Sequence, residues 1–199
     1  MPIAGMSRAA SLLARCRELF SRSPKGVPYC PTPFAVARQM LEFAGAAPGD
    51  VVYDLGSGDG RVAILAAQEF GCRAVGVEIN GKLWRESSEQ AKRLGLEGQV
   101  EFRRGSFFET DVRAATVVTL YLLTATNGAL QFHLASQLRA GTRVVTVDYP
   151  VPGWSAERQT EVKSENGVAY TLFLYRRKGI PAAEESAGKA AGASPGRFS

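Results

Sequence analysis

Two kinds of hydrophobic pattern alternate along the chain. Nearly continuous apolar runs at 51–53, 74–77, 116–123 and 142–147 predict strands buried on both faces of a parallel sheet. Between them, apolar residues recur every three or four positions. Residues 33–44 put Val36, Met40, Leu41 and Phe43 at helical spacing behind Thr32 as N-cap and Pro33 in the first turn. Further helices are predicted from Arg61, over about 82–94 with Gly95 as stop, and over about 129–138 with Gly141 closing it. Residues 99–104 alternate as a short edge strand does. The period then changes. Residues 159–163 and 168–176 are β-like, and Ser164-Glu-Asn-Gly167 between them is a strong hairpin signal. A βα series capped by an antiparallel hairpin is the expected architecture.

The ends differ from the middle. Residues 7–21 have helical spacing, with Ala9, Leu12, Leu13, Cys16, Leu19 and Phe20 on one side and Arg8, Arg15, Glu18 and Arg22 on the other. Three prolines make 26–33 a stiff lead-in, and residues 181–199 have little to bury. The expected division is a basic amphipathic helix in 1–25, one domain over 26–179 and a disordered tail over 180–199. The helix can pack on the domain, touch a membrane or an acidic partner, or act as a mitochondrial presequence; composition does not separate these.

Composition narrows the class. The 199 residues are 45% hydrophobic, which suits one folded domain with a sizeable core. No apolar run reaches the length of a membrane span. Net charge is +5, and much of the excess lies in residues 1–30, where Arg8, Arg15, Arg17, Arg22 and Lys25 face only Glu18. No aromatic–basic RNA-binding motif accompanies this charge, so no nucleic-acid partner is expected. Cys16, Cys30 and Cys72 form neither a CxxC pair nor a metal set with the single His133. A reducing compartment is expected, the cytoplasm first, with mitochondria and a peripheral membrane position left open.

The chemistry concentrates between Val51 and Asn80. A strand ends at Asp54, the glycine-dense turn Gly56-Ser57-Gly58-Asp59-Gly60 follows, a helix begins at Arg61, and a second strand ends at Glu78. This is the order of a nucleotide-binding βαβ unit. Glycines let backbone and ligand approach, and an acid at the second strand tip can accept from a ribose diol. Asp54 and Glu78 are 24 residues apart. A dinucleotide site wants a glycine where Arg61 stands, and a pyrophosphate would be repelled by Asp54 and Asp59. A cofactor without phosphate but with an ammonium and a sulfonium favours acids there.

D-L-G-S-G-D-G-R at 54–61 with G-V-E-I-N at 76–80 resembles the first two motifs of class I S-adenosylmethionine-dependent methyltransferases. Adding V-P-Y-C-P-T-P at 27–33, Phe107-Phe108, T-V-V-T-L-Y-L-L-T at 116–124, G-T-R-V-V at 141–145 and Gly153-Trp154, the chain resembles the small protein-lysine methyltransferases over about 26–178. That family takes in archaeal broad-specificity enzymes and the mitochondrial ATP-synthase c-subunit methyltransferase. The resemblance implies a Rossmann-like α/β fold, with a seven-stranded, mostly parallel sheet, an antiparallel last strand and helices on both faces. It implies S-adenosyl-L-methionine as cofactor and a protein presenting lysine as partner. Asp54, Gly56 and Gly58 would line the methionine part, Glu78 would hold the ribose, and Ile79, Ser106 and Phe107 would flank adenine. Many class I enzymes carry an acid where Ser106 stands. Tyr29 and Thr32 would close over the cofactor, and Tyr121 to Thr124 would face the methyl group.

A lysine nucleophile must lose a proton from a group whose free pKa is about 10.4. Candidates to line that site or help are Tyr121, Asp148, Tyr149 and Glu109, with Tyr121 and Asp148 carried forward as catalytic. The Asn/Asp-Pro-Pro-Tyr signature of many amino-group methyltransferases is replaced by Tyr121-Leu-Leu-Thr124, which argues against nucleobase amines. His133 reads as a surface residue on its helix rather than a catalytic one, and Trp84 and Trp154 read as packing residues, with Trp154, after a strand tip, alternatively bordering the entrance. The alternatives are a small-molecule O- or N-methyltransferase and a catalytically silent cofactor-binding protein; an NAD-dependent oxidoreductase is disfavoured by Arg61 and the hairpin. No inserted lid is evident, and a monomer is expected.

Overall fold

The computed structural model describes residues 29–178. The predicted helix at 7–21 and the predicted tail lie outside the described residues. In chain order the elements are α1 (Phe34–Ala44), β1 (Val51–Leu55), α2 (Arg61–Phe70), β2 (Arg73–Glu78), α3 (Gly81–Arg93), β3 (Val100–Arg104), β4 (Val117–Leu120), α4 (Thr124–Gln137), β5 (Arg143–Val147), β6 (Arg158–Lys163) and β7 (Ala169–Arg176).

The strands form one seven-stranded sheet in the order β3-β2-β1-β4-β5-β7-β6. The first five are parallel, and β7 runs antiparallel to β5 and β6 on either side of it. The chain reverses its direction of travel between β1 and β4, the switch point at which open α/β sheets bind ligands outside the carboxyl ends of their strands.

Both faces of the central strands are buried, as their apolar runs require. Alternate strand residues serve opposite cores. Val52, Ala74, Val117 and Val145 pack with Val36 and Met40 of α1 and Val62 and Ala66 of α2. Tyr53, Val75, Val118 and Val144 pack with Leu130 and Leu134 of α4 and with Val112 from the 105–116 loop. Covering both faces removes water from the central strands β1, β4 and β5, while the edge strands β3 and β6 stay partly exposed.

Several boundaries move from their sequence reading. Thr32 does not cap α1: the cap position is Pro33, without a side-chain hydrogen bond. The β4 run ends at Leu120, so Tyr121 to Leu123 leave the sheet before α4. The α4 helix begins at Thr124, five residues before the pattern suggested, and includes Asn127 and Gly128. These are weak helix formers. Asn127 is 1% exposed, and its Nδ2 donates to the Tyr149 carbonyl at 2.9 Å, so tertiary contacts override local preference. His133 reaches the Thr110 carbonyl at 2.8 Å, Trp84 Nε1 donates to the Phe102 carbonyl at 3.0 Å, and Trp154 packs edge-on against Tyr175. All three make internal contacts, and His133, expected on the surface, is half-buried. No helix among the described residues is long and apolar enough to cross a membrane.

Candidate active site

The glycine loop is built by backbone bonds first. Gly56 and Ser57 both donate to the Val77 carbonyl, at 2.9 and 3.0 Å, folding the turn back across the end of β2. Gly58 has φ 54°, and a Cβ there would stand 2.4 Å from Cε2 of Tyr29. The loop and the Tyr29 ring therefore approach to a distance that only glycine permits.

Glu78 does more than its sequence position announced. One carboxylate oxygen accepts from the Gly58 N–H at 2.8 Å and the other from the Asn80 N–H at 2.7 Å. It is 8% exposed. It braces the loop while facing the same cavity, and each oxygen keeps a second lone pair for a ligand. Asn80 then caps α3, its Oδ1 accepting from Lys82 N–H at 3.0 Å.

The three loop acids are not equivalent. Asp54 sits at the end of β1 opposite Thr119 of β4, whose hydroxyl donates to it at 2.8 Å. Among the described residues no basic side chain bonds to it. Burial raises its pKa to about 7, the Thr119 hydrogen bond opposes this, and the charges of Asp59 and Glu78 add to it. Asp59 differs, and the structure corrects the expectation that its charge serves a ligand. Burial would raise its pKa, but Arg61 outweighs that and holds it below the usual aspartate range. The guanidinium donates to Asp59 through Nε at 2.9 Å and pairs with it through Nη2. Asp59 is therefore neutralised internally, and Asp54 is the acid left to meet a cation.

Arg61, noted in the sequence only as a missing glycine, ties down the lead-in. Its Nη1 donates to the Thr32 carbonyl at 2.9 Å, and its guanidinium lies 4.8 Å from the centre of the Phe34 ring. Thr32 thus contributes its backbone to this clasp. Tyr29, 46% exposed over the loop, has its pKa pushed up to about 12 by partial desolvation and by neighbouring Asp59. No signal in one sequence could have assigned Arg61 this role, because its partners are distant in the chain.

These parts enclose a cavity of about 660 Å³ at the carboxyl edge of β1, β2 and β4. Its size lies in the usual range for cofactor pockets. Tyr29, Thr32, Asp54, Gly56, Gly58, Glu78, Ile79, Ser106 and Phe107, the residues singled out for a cofactor, all line it, and so does Tyr121. Of the expected Tyr121 to Thr124, Leu122 also lines it while Leu123 and Thr124 do not, and Cys30, Met40, Arg61, Asn80 and Thr126 line it without having been given a role there. Ser106 Oγ accepts from the Phe108 N–H at 3.2 Å and keeps one lone pair. Asp148, Tyr149, Glu109 and Trp154 do not line the cavity. Asp148 instead meets Tyr121, whose hydroxyl donates to Oδ2 at 3.5 Å. Burial first, then Asp148, raises the Tyr121 pKa, so this hydroxyl stays protonated at neutral pH.

The donor set suits a ligand with an ammonium for Asp54, a diol for Glu78 and a flat ring for Ile79 and the Phe107–Phe108 pair. Comparison with known proteins agrees. Residues 54–158 match the family described as "ANTKMT methyltransferase domain". The protein-lysine N-methyltransferase of Saccharolobus islandicus (strain REY15A) is 44% identical over 150 residues, 75% of this chain and 92% of that protein.

The chain belongs to the ANTKMT methyltransferase family.

It is an S-adenosylmethionine-dependent methyltransferase. A second relative, the adenine nucleotide translocase lysine N-methyltransferase of Mus musculus, is 33% identical over 129 residues, 64% of this chain and 56% of that protein. Among solved structures, an RNA methyltransferase from Salinibacter ruber in complex with S-adenosyl-L-homocysteine shares 42% identity with a TM-score of 0.71, covering 77% of this chain and 97% of that one. Methyl transfer is common to the names of these relatives, while the acceptors in those names differ.

Proposed function

We propose that this family member methylates lysine side chains of proteins. The observation that carries the reading is the 44% identity, spanning nearly the whole relative, to a protein-lysine N-methyltransferase. The segment after β4 supports it, because Tyr121-Leu-Leu-Thr124 stands where nucleobase-amine enzymes carry Asn/Asp-Pro-Pro-Tyr.

The cofactor supplies a methyl group on sulfonium, ready for in-line displacement. The chain's residues bind, orient and exclude water. Asp54 takes the ammonium, Glu78 accepts from the ribose hydroxyls, and Gly56 and Gly58 allow the methionine part to approach. Ile79, Ser106 and Phe107, which line the cavity, would flank adenine. Tyr29 and Thr32 close the cavity through the Arg61 clasp, and Tyr121 and Asp148 serve the acceptor. The basic segment at 7–21 belongs with this reading as a contact for an acidic partner or a membrane surface.

A second reading is RNA methylation, favoured by the name of the 42% identical Salinibacter ruber protein. One experiment separates the two. A host lysate is labelled with tritiated methyl donor and the full-length enzyme, then split into protein and RNA and hydrolysed. Label in N-methyllysine is expected; label confined to methylated nucleosides overturns the lysine reading in favour of RNA.

A further inference from the structure

Helix α1 begins where its own sequence supplies no cap. Pro33 holds the cap position and makes no side-chain cap bond. The first N–H groups of a helix have no partner within it and need one elsewhere. The Ala35 N–H finds its partner 130 residues away, donating to Glu165 Oε1 at 2.5 Å. A capping side chain ordinarily accepts from the second or third helical residue, and Ala35 is the second. One turn on, Gln39 Nε2 donates to the Ala35 carbonyl at 2.9 Å and to the Lys163 carbonyl at 3.0 Å. The start of α1 is thus tied twice to the β6–β7 hairpin. The hairpin is shaped for this. Leu172 of β7 pairs with Val147, the last residue of β5, so the turn at 164–167 projects past the carboxyl edge of the sheet. The Ser164 N–H donates to the Val168 carbonyl at 2.9 Å, and the Val168 N–H donates back to Ser164 Oγ at 3.1 Å, which closes the turn. Val162 and Val168, on either side of it, pack against the core that holds Val36 and Met40 of α1.

What α1 carries gives this bond its consequence. Tyr29, Cys30, Pro31 and Thr32, directly ahead of the helix, line the cofactor cavity, and Met40 lines it from within α1. Arg61 holds the Thr32 carbonyl from the glycine-loop side. We propose that Glu165 is a positioning residue for the cofactor: from the hairpin turn it caps α1 in place of Pro33, and so holds the lead-in at 29–33 as a fixed wall of the cavity. Glu165 does not itself line the cavity. It acts through the Ala35 N–H, at the end of the helix where a negative charge is favoured. With the lead-in anchored by Arg61 on one side and by Glu165 on the other, the cofactor meets a preformed wall. A loose lead-in would have to be ordered on binding, at the expense of affinity. Glu165 does this whatever the acceptor, because only the cofactor cavity depends on it.

The test uses the full-length chain and calorimetry with S-adenosylhomocysteine. Glu165→Ala is expected to weaken binding about fivefold, the scale of one lost N-cap. Amide exchange of the ligand-free protein, followed by mass spectrometry, should speed up over 29–37 and stay unchanged in β1 and β2. Glu161→Ala removes the same charge from the same hairpin and should bind as wild type does. Glu165→Gln keeps an acceptor for the Ala35 N–H and should recover most of the affinity. Adding Pro33→Ser to Glu165→Ala gives the helix a cap of its own and should bring affinity to within about twofold of wild type. In a labelled host lysate, Glu165→Ala should raise the S-adenosylmethionine concentration for half-maximal labelling about fivefold and leave the maximum unchanged, the mark of lost binding rather than lost chemistry. Unaltered affinity in Glu165→Ala overturns the positioning role, even if its Tm falls. So does an equal loss in Glu161→Ala, or a loss that neither Glu165→Gln nor the added Pro33→Ser recovers. Wild-type protein that fails to bind S-adenosylhomocysteine overturns the cofactor site itself.

Discussion

Cofactor binding should depend steeply on pH below neutrality, and Asp54 should be the cause. Its carboxyl is buried, among the described residues bonded only to the Thr119 hydroxyl, and raised to about 7. An ammonium beside it in the complex would restore an ordinary aspartate value or lower. Below pH 7 the ligand must therefore displace a proton from Asp54 as it binds. For a free pKa of about 7, the fraction of ionised Asp54 falls from a half at pH 7 to about one in a hundred at pH 5. Affinity should drop about 50-fold over that window, or about 2.3 kcal/mol at 1.36 kcal/mol per factor of ten. Arg61 spends its charge on Asp59 and does not bond to Asp54, so it offers no relief. The stability sign runs the other way. A carboxyl raised in the folded state contributes stability fully present below about 3.9 and lost as pH rises through about 7, at most about 4 kcal/mol. Ligand-free protein should thus lose stability over that interval, and ligand should return it.

The assay is titration calorimetry with S-adenosylhomocysteine from pH 5 to 8 in two buffers of different ionisation enthalpy. Release of nearly one proton below pH 6 is expected. Asp54→Asn should weaken binding at pH 8 and flatten the pH dependence. Thr119→Val removes a hydrogen bond that favours the charged form, so the limb should move to higher pH. A flat profile in the wild type, or the same slope in Asp54→Asn, refutes the reasoning.

The remaining predictions are simpler. Gly58→Ala places a methyl 2.4 Å from the Tyr29 ring at φ 54°; it should weaken S-adenosylhomocysteine binding at least about tenfold, about 1.4 kcal/mol, and Tyr29→Ala in the same chain should restore part of the loss. Glu78→Gln keeps one backbone acceptor and loses the other, so cofactor affinity should fall by about 10- to 100-fold with a small drop in Tm; unchanged affinity would remove Glu78 from the site. Arg61→Ala strips the partner from Asp59 and the donor from the Thr32 carbonyl, and amide exchange in α1 should speed up with loss of cofactor affinity. Asp50→Ala leaves Arg143, 17% exposed in its side chain, without its carboxylate, and urea unfolding should show a loss of about 3 kcal/mol.

Much of this protein is written in short-range order. The β1 and β2 runs, the turn at 56–60 and the Ser164–Gly167 hairpin depend on alternation, turn chemistry and positive φ, which neighbouring residues dictate. That order also placed Asp54 and Glu78 at strand ends, and a strand end in a parallel sheet is where ligands bind. Where the sequence pattern failed, the deciding partner lay far along the chain. The start of α4 depends on Asn127 reaching Tyr149, 22 residues away. The charge state of Asp54 depends on Thr119, 65 residues away, and the clasp on the lead-in joins Arg61 to Thr32 across 29. Tyr121 and Asp148 meet only because β4 and β5 are neighbours in register. Local sequence determined which groups stand at the edge of the sheet. The packing of both faces, which removes water and sets the strand order, decided which carboxylates keep their charge and which side chains meet.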